Sequence, residues 1–120
     1  MKIISPRIHA YLDYIVAALL IFTPWIFAFP MKGPEVWTPL LVGLTILTYS
    51  ILTRFKNEHF GIISLKTHLI FDVLLGIVLA LSPLFFEFTH ISPIPQIAIG
   101  VIICVIALLT SMPPNKDVTK

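Results

Sequence analysis

The chain has 120 residues, of which 58% are hydrophobic and 12% are charged, and its mean hydropathy is +0.98. Soluble domains carry about a quarter charged residues, so this composition predicts one integral membrane domain, residues 1–120, surrounded by the lipid bilayer. The net charge is only +2 and the basic residues are scattered, which argues against nucleic-acid binding. The single cysteine, Cys104, excludes an intramolecular disulfide and a Cys-x-x-Cys redox or zinc motif.

Four apolar stretches are long enough to cross a bilayer, whose hydrocarbon core takes ~20 residues per helix. The predicted helices cover residues 6–29, 38–53, 65–87 and 95–112. Ser5 and Ser64 are the expected N-caps of the first and third helices, and Pro6 suits the first helical position because its missing N–H costs nothing there. Pro113 and the proline after it end the fourth helix. The sequence therefore predicts an all-α membrane protein with four transmembrane helices.

The first and third predicted helices repeat one sequence pattern 59 residues apart. Of the 27 aligned positions that begin at Ile3 and Ile62, nine are identical, and these include a His, an Asp and a Pro in one register. The second and fourth helices correspond at an offset of 57 residues, through Gly43 with Gly100 and Leu52-Thr53 with Leu109-Thr110. The chain is therefore predicted to contain two helical hairpins. Repeat one covers about residues 3–55, repeat two covers about residues 62–112, and a short cytoplasmic tail covers residues 113–120.

The basic residues are distributed unevenly between the two sides of the predicted bundle. Seven of the eight Lys and Arg residues lie on the side that holds both termini and the central loop: Lys2, Arg7, Arg54, Lys56, Lys66, Lys116 and Lys120. Only Lys32 lies on the other side. Because short cytoplasmic loops carry the excess of basic residues, both termini are predicted to be cytoplasmic. The hairpins are then parallel repeats, related by a pseudo-two-fold axis along the membrane normal.

Each copy of the first helix carries a histidine and an aspartate four residues apart. His9 with Asp13, and His68 with Asp72, are thus predicted to lie on one helix face, one turn apart, within the membrane. A charge at that depth is costly unless it is paired or hydrated. Three interpretations stay open: two structural pairs that hold the helices together, one four-residue cluster that binds a divalent metal or relays protons, or a site that a partner protein completes.

A proline late in each copy of this helix belongs to a three-residue motif. The motifs are Thr23-Pro24-Trp25 and Ser82-Pro83-Leu84. Each proline predicts a bend four residues earlier, at Leu20 and Leu79, and the hydroxyl before it can bond to the freed backbone. These features resemble the SPW repeat family of small bacterial integral membrane proteins, named for a Ser-Pro-Trp motif in the first of two transmembrane helices per repeat. The resemblance implies a four-helix domain of the bacterial inner membrane, without an assigned activity or catalytic residues.

No phosphate-binding loop, hydrolase elbow or zinc-protease motif occurs in the sequence. We therefore expect a non-enzymatic structural or accessory membrane module, with no cofactor. A small transporter or a cation- or proton-binding protein that uses the His/Asp cluster is the alternative, and a membrane enzyme with an Asp–His base stays open. Small residues at helix contacts, which are Ala17, Gly43, Gly76 and Gly100, could also serve a homo-oligomer or a membrane-protein partner. His59 and His90 are expected in solvated loops.

Overall fold

The computed structural model describes residues 3–26, 33–53, 62–87 and 92–111. In these ranges the fold consists of helices α1 (Pro6–Ile21), α2 (Thr23–Ile26), α3 (Pro34–Ile51), α4 (Leu65–Phe86) and α5 (Ile94–Leu109). The described residues form no strand, although isolated bridges join Ile4 to Thr110 and Thr53 to Ile63. The predicted all-α fold class is confirmed. His59, His90 and residues 113–120 lie outside the described ranges.

The first predicted helix is divided in two, so the prediction of one continuous helix over residues 6–29 is wrong. Helix α1 ends at Ile21, Phe22 leaves the regular helix with φ −94° and ψ 8°, and the single turn of α2 follows. The cause is Pro24, which has no N–H to donate to the carbonyl of Leu20 and whose ring clashes with that carbonyl. The hydroxyl of Thr23 donates to the carbonyl of Leu19 at 2.7 Å. Residues 27–29 lie outside the described ranges.

The equivalent proline in the second repeat does not divide its helix. Pro83 lies inside α4, which continues to Phe86. The hydroxyl of Ser82 donates to the carbonyl of Leu79 at 2.7 Å, which is the carbonyl that Pro83 cannot reach as a donor. The predicted pairing of this hydroxyl with the freed backbone is therefore present in repeat two.

The second predicted helix begins at Pro34, four residues before the predicted start at Thr38. Gly33 precedes it with φ 84°, a backbone conformation that favours glycine, and Pro34 takes the first helical position. Pro39 therefore lies in the interior of this helix. The fourth predicted helix begins at Ile94, one residue before the predicted start. It ends at Leu109, three residues before the predicted end at residue 112, because Thr110 has extended backbone angles.

Helix α1 packs mainly against α3, and α4 packs mainly against α5, so the two hairpins predicted from the repeats are also the main packing units. Both pairs depend on small residues. A Cβ atom on Gly43 would lie 2.9 Å from Cβ of Leu20, and one on Gly100 would lie 2.5 Å from the carbonyl oxygen of Gly76. The glycines that could serve a homo-oligomer thus lie at contacts between helices of the same chain. Side chains of all four long helices form one core: Ala17, Leu20, Val42, Ile46, Tyr49, Leu79 and Ile103.

The outside of the bundle is apolar, whereas many of its buried side chains are polar. Large hydrophobic residues face outward along every long helix, and Leu84 and Phe85 are each 74% exposed. Among the described helices, α4, with 22 residues and a mean hydropathy of 2.5, is the one that is both long and apolar enough to cross a membrane. Helix α5 is apolar but shorter. Such a surface is unfavourable in water and suits hydrocarbon surroundings.

Candidate functional site

The four ionisable residues selected from the sequence meet in the interior of the bundle. His9 and Asp13 lie on α1, and His68 and Asp72 lie on α4. The exposed fraction is 0% for both histidines and for Asp72, and 5% for Asp13. We call this group the His/Asp cluster. Its side chains are shielded from the surroundings, so each charge depends on its neighbours for compensation.

The two helices that carry the cluster begin in the same way. The Ser5 hydroxyl accepts a hydrogen bond from the backbone N–H of Ile8, and the Ser64 hydroxyl accepts one from that of Thr67, both at 3.2 Å. The predicted N-caps are therefore present in both repeats. Because each histidine follows its cap by four residues, the caps place both imidazoles in the second turn of their helices.

The shortest contacts in the cluster join the two hairpins. Nε2 of His9 lies 2.7 Å from Oδ2 of Asp72, and Nε2 of His68 lies 2.5 Å from Oδ2 of Asp13. The pairs within one helix, which the spacing of four predicts, are longer at 3.1 and 3.2 Å. The imidazole rings meet edge to face, with centroids 5.2 Å apart. The cluster thus forms one centre shared by both repeats.

The other ring nitrogen of each imidazole, Nδ1, forms a hydrogen bond with one threonine. Nδ1 of His9 lies 2.7 Å from Oγ1 of Thr110, and Nδ1 of His68 lies 2.8 Å from Oγ1 of Thr53. Each threonine hydroxyl donates its hydrogen to the backbone carbonyl one turn earlier, at 2.7 and 2.6 Å respectively. The hydroxyl oxygens can therefore only accept from the imidazoles. We infer that Nδ1 carries a hydrogen in both rings and that Nε2 points at the carboxylates.

Backbone hydrogen bonds between the segment before each first helix and the end of the other hairpin bring the threonines to the cluster. The backbone N–H of Ile4 donates to the carbonyl of Leu109 at 3.0 Å, and that of Ile63 donates to the carbonyl of Leu52 at 3.1 Å. These bonds place the threonine that follows each second helix beside the histidine of the other repeat. Each histidine is therefore oriented by a threonine from the opposite hairpin.

Tyr49 makes the site asymmetric. Its hydroxyl donates a hydrogen bond to Oδ1 of Asp72, and its ring packs edge to face against His68 with centroids 4.8 Å apart. The equivalent residue of the second repeat is Ile106, which has no hydroxyl. Sequence reasoning missed Tyr49, and it used Thr53 and Thr110 only as markers of the repeat. The corresponding positions of Thr53 and Thr110 in the two repeats could have indicated a shared role, and Tyr49 lies one helical turn before Thr53.

A second group of buried polar residues lies between the other ends of the helices. The Ser82 hydroxyl lies 3.3 Å from Oε1 of Gln96, whose Nε2 donates to the backbone carbonyl of Glu35 at 3.1 Å. That carbonyl lies four residues before Pro39, which cannot donate to it, so the glutamine replaces the missing helical bond. The core residues Ala17, Leu20 and Leu79, all fully buried, belong to the apolar region of the bundle interior.

The proline motif has the same orientation in both repeats. Thr23 and Ser82 are each 1% exposed, and Pro24 and Pro83 are buried. The third position faces outward in both copies, as Trp25 (63% exposed) and Leu84. The first two positions thus contribute to the interior, and the third contributes apolar surface.

The described cluster has the chemistry of a cation or proton site. One ligand atom from each of the four side chains can be chosen so that all four lie within 4.8 Å of one another. Imidazole nitrogen and carboxylate oxygen are ligands for zinc and related metals, and they also exchange protons.

A comparison with protein-family models matches the SPW repeat domain over residues 7–110. Neither the comparison with curated proteins nor that with solved structures finds a match. The match includes both histidines, both aspartates and both proline motifs of the two hairpins. With the apolar helix α4, it indicates a membrane protein. The chain belongs to the SPW repeat domain family.

Proposed function

We propose that the chain is a four-span protein of the bacterial inner membrane that acts as a non-enzymatic structural or accessory module. Both termini are cytoplasmic in this proposal. The observation that carries it is the His/Asp cluster, whose two shortest contacts, His9 with Asp72 and His68 with Asp13, join the hairpins. The cluster is buried, and its groups are used to hold one part of the chain against another.

The distribution of polar and apolar residues supports the four-span arrangement. Helices α1 with α2, α3, α4 and α5 supply four apolar segments, and their outward faces carry large hydrophobic side chains. Arg7 and Lys66 are exposed in the first turns of α1 and α4, at the end of the bundle where Ile4 and Ile63 bond to the second helices. Positive charge at one end is the pattern of a cytoplasmic face.

The energetics of the cluster support a structural role. An isolated charge costs about 2.5–3.5 kcal/mol or more at the centre of a membrane helix. The cluster lies nearer the helix N-termini, where the cost is smaller, and its four groups compensate one another there. Interhelical hydrogen bonds in membranes contribute about 0.6–2 kcal/mol each. Bonds across the hairpins fix the relative position of the repeats, which nonspecific apolar contact with lipid does not do.

A small transporter is the second candidate, because ionisable residues inside a membrane commonly line ion or proton pathways. Transport would require hydrated access to the cluster. Core residues such as Leu20, Ile46 and Leu79 are at most 1% exposed, so a path through this part of the interior would need these side chains to move. We therefore rank transport below the structural role.

Photo-cross-linking in native membranes tests the accessory role. A photoreactive residue is placed separately at Trp25, Leu84 and Val101, three outward positions on different helices. We expect a cross-linked homo-oligomer or membrane-protein partner from some positions and none from the others, because a specific neighbour covers one face. Monomer alone from all three positions would contradict the proposal, whereas proton or cation flux in vesicles would favour the transporter.

A further inference from the structure

We propose that the His/Asp cluster binds one divalent transition-metal ion, with zinc as the best fit. The four ligands are Nε2 of His9 and His68 and one carboxylate oxygen each of Asp13 and Asp72. The inference deepens the proposed function and rests on it in one respect: the metal would join the same two hairpins that the cluster already connects.

The first argument is the arrangement of the ligand atoms. The four distances between a histidine Nε2 and an aspartate Oδ2 in the cluster range from 2.5 to 3.2 Å. Zinc binds such ligands at about 2.0–2.2 Å in a tetrahedron, which separates neighbouring ligand atoms by about 3.3 Å. A metal therefore requires the four histidine–aspartate separations to open by less than about 1 Å, while the other ligand separations, which are at most 4.8 Å, shorten.

The second argument is independent of the four ligands and concerns the groups behind them. Histidines that bind metals usually donate their other ring N–H to an acceptor, which fixes the ring and its tautomer. Thr53 and Thr110 are such acceptors, since their own hydroxyl hydrogens are used by backbone carbonyls. The Tyr49 hydroxyl binds Oδ1 of Asp72, so that Oδ2 is directed to the centre. Both nitrogens and this oxygen are thus directed to the centre of the cluster.

The third argument is charge. Zinc bound to two neutral imidazoles and two carboxylates forms a site without net charge, which suits surroundings where net charge is costly. In the metal-free cluster, hydrogens on Nε2 that bond to the carboxylates take the place of the metal. Magnesium and calcium prefer six or more oxygen ligands, so a four-ligand site with two imidazoles disfavours them. The ligand set therefore selects zinc, or a similar transition metal, over the common hard cations.

Metal titration of the full-length protein in detergent tests the inference. After removal of metal with a chelator, Co²⁺ is added as a coloured probe and then displaced with Zn²⁺. We expect one Co²⁺ per chain, the visible absorption of tetrahedral cobalt, and full displacement by Zn²⁺ but none by Mg²⁺. His9→Ala and His68→Ala should each abolish the tetrahedral spectrum. The matched controls, His59→Ala and His90→Ala, remove the other two histidines of the sequence and should retain it.

Variants of the threonines test the site without removing a ligand, and they answer the question if the histidine variants do not fold. Thr53→Val and Thr110→Val should weaken Zn²⁺ affinity by about 10–100-fold, the usual effect of losing a group that orients a ligand. Thr48→Val is the control, because its hydroxyl also bonds to a carbonyl one turn earlier on α3 but is exposed. The absence of saturable binding by the wild type, or equal effects of Thr48 and Thr53 variants, would overturn the proposal. Cross-linking of a partner by the metal-free protein would still support the proposed function alone.

Discussion

Asp13 and Asp72 occupy equivalent positions in the two repeats, yet their neighbours differ. Tyr49 donates to Oδ1 of Asp72, while Oδ2 of the same residue lies within hydrogen-bond distance of both histidines. Both carboxylate oxygens of Asp72 are therefore engaged. Ile106, which corresponds to Tyr49 in the second repeat, has no hydroxyl to donate to Asp13, and Asp13 is also slightly more exposed. The side chain of Asp72 therefore accepts a hydrogen bond from one more residue than that of Asp13 does.

Substitution of these aspartates separates loss of charge from loss of hydrogen bonding. In chelator-treated protein, Asp13→Asn should be mild, because an amide still bonds to the imidazoles and avoids a buried charge. Asp13→Leu should destabilise by about 1–3 kcal/mol, since it leaves buried donors unsatisfied. The same changes at Asp72 should cost more, because the Tyr49 hydroxyl also loses its acceptor. Thermal melts in detergent measure the four variants, and equal stability of Asn and Leu at both positions would refute a structural role for the pairs.

The sequence placed the four ionisable residues correctly in register because their spacing repeats and a helix converts a spacing of four into one face. It did not reveal which pairs are closest. The contacts between His9 and Asp72, and between His68 and Asp13, depend on the rotation of α1 and α4 about their axes, which packing determines. Thr53 and Thr110 could not be assigned either, since they lie far from their histidine partners along the chain.

At the scale of helices, one motif has two structural outcomes. Pro24 divides its helix, whereas Pro83 lies in a continuous one. The hydroxyl before each proline bonds to a different carbonyl: Thr23 to that four residues earlier, and Ser82 to that three residues earlier. Ser82 also contacts Gln96 on α5. The proline alone predicts where the helix is perturbed. It does not predict whether the helix is interrupted there, because that depends on contacts with the neighbouring helix.

The closest helix contact provides a prediction at this scale. A Cβ on Gly100 would meet backbone atoms of Gly76 and Ala80 at 2.5 and 2.6 Å, and these cannot move without displacing α4. Gly100→Ala should therefore destabilise the protein by about 1–3 kcal/mol, despite the higher helix propensity of alanine. The matched change Gly43→Ala should cost less, because its nearest atoms lie at 2.9–3.0 Å. Thermal melts compare the two, and an equal or smaller loss for Gly100→Ala would contradict the packing described for α4 and α5.

At the scale of the whole molecule, the repeats predicted the hairpins, and composition predicted the apolar exterior. The ties between Ile4 and Leu109, and between Ile63 and Leu52, were not predicted. They join residues at opposite ends of the repeats, and no local pattern specifies such contacts. Each of these bonds joins the beginning of one hairpin to the end of the other, so the two hairpins are connected at two places.

The proposed orientation predicts the behaviour of topology reporters. A reporter that is active only outside the cytoplasm should be inactive when fused after Lys120, because the predicted topology assigns seven of the eight basic residues to that side. The same reporter inserted after Lys32 should be active, and this fusion is the matched control for expression and folding. Strong activity from the Lys120 fusion would reject the cytoplasmic assignment of the C-terminus.

The exchange of threonines between hairpins has a consequence for the duplication itself. Two separate copies of one hairpin, paired about a two-fold axis, could build a cluster of the same type, since each histidine takes its threonine from the other copy. In such a homodimer both halves would have to carry the same residue at every position. Covalent joining removes that restriction, so Tyr49 can serve Asp72 while its counterpart is Ile106. The fused chain can therefore make one half of a symmetric centre chemically different from the other.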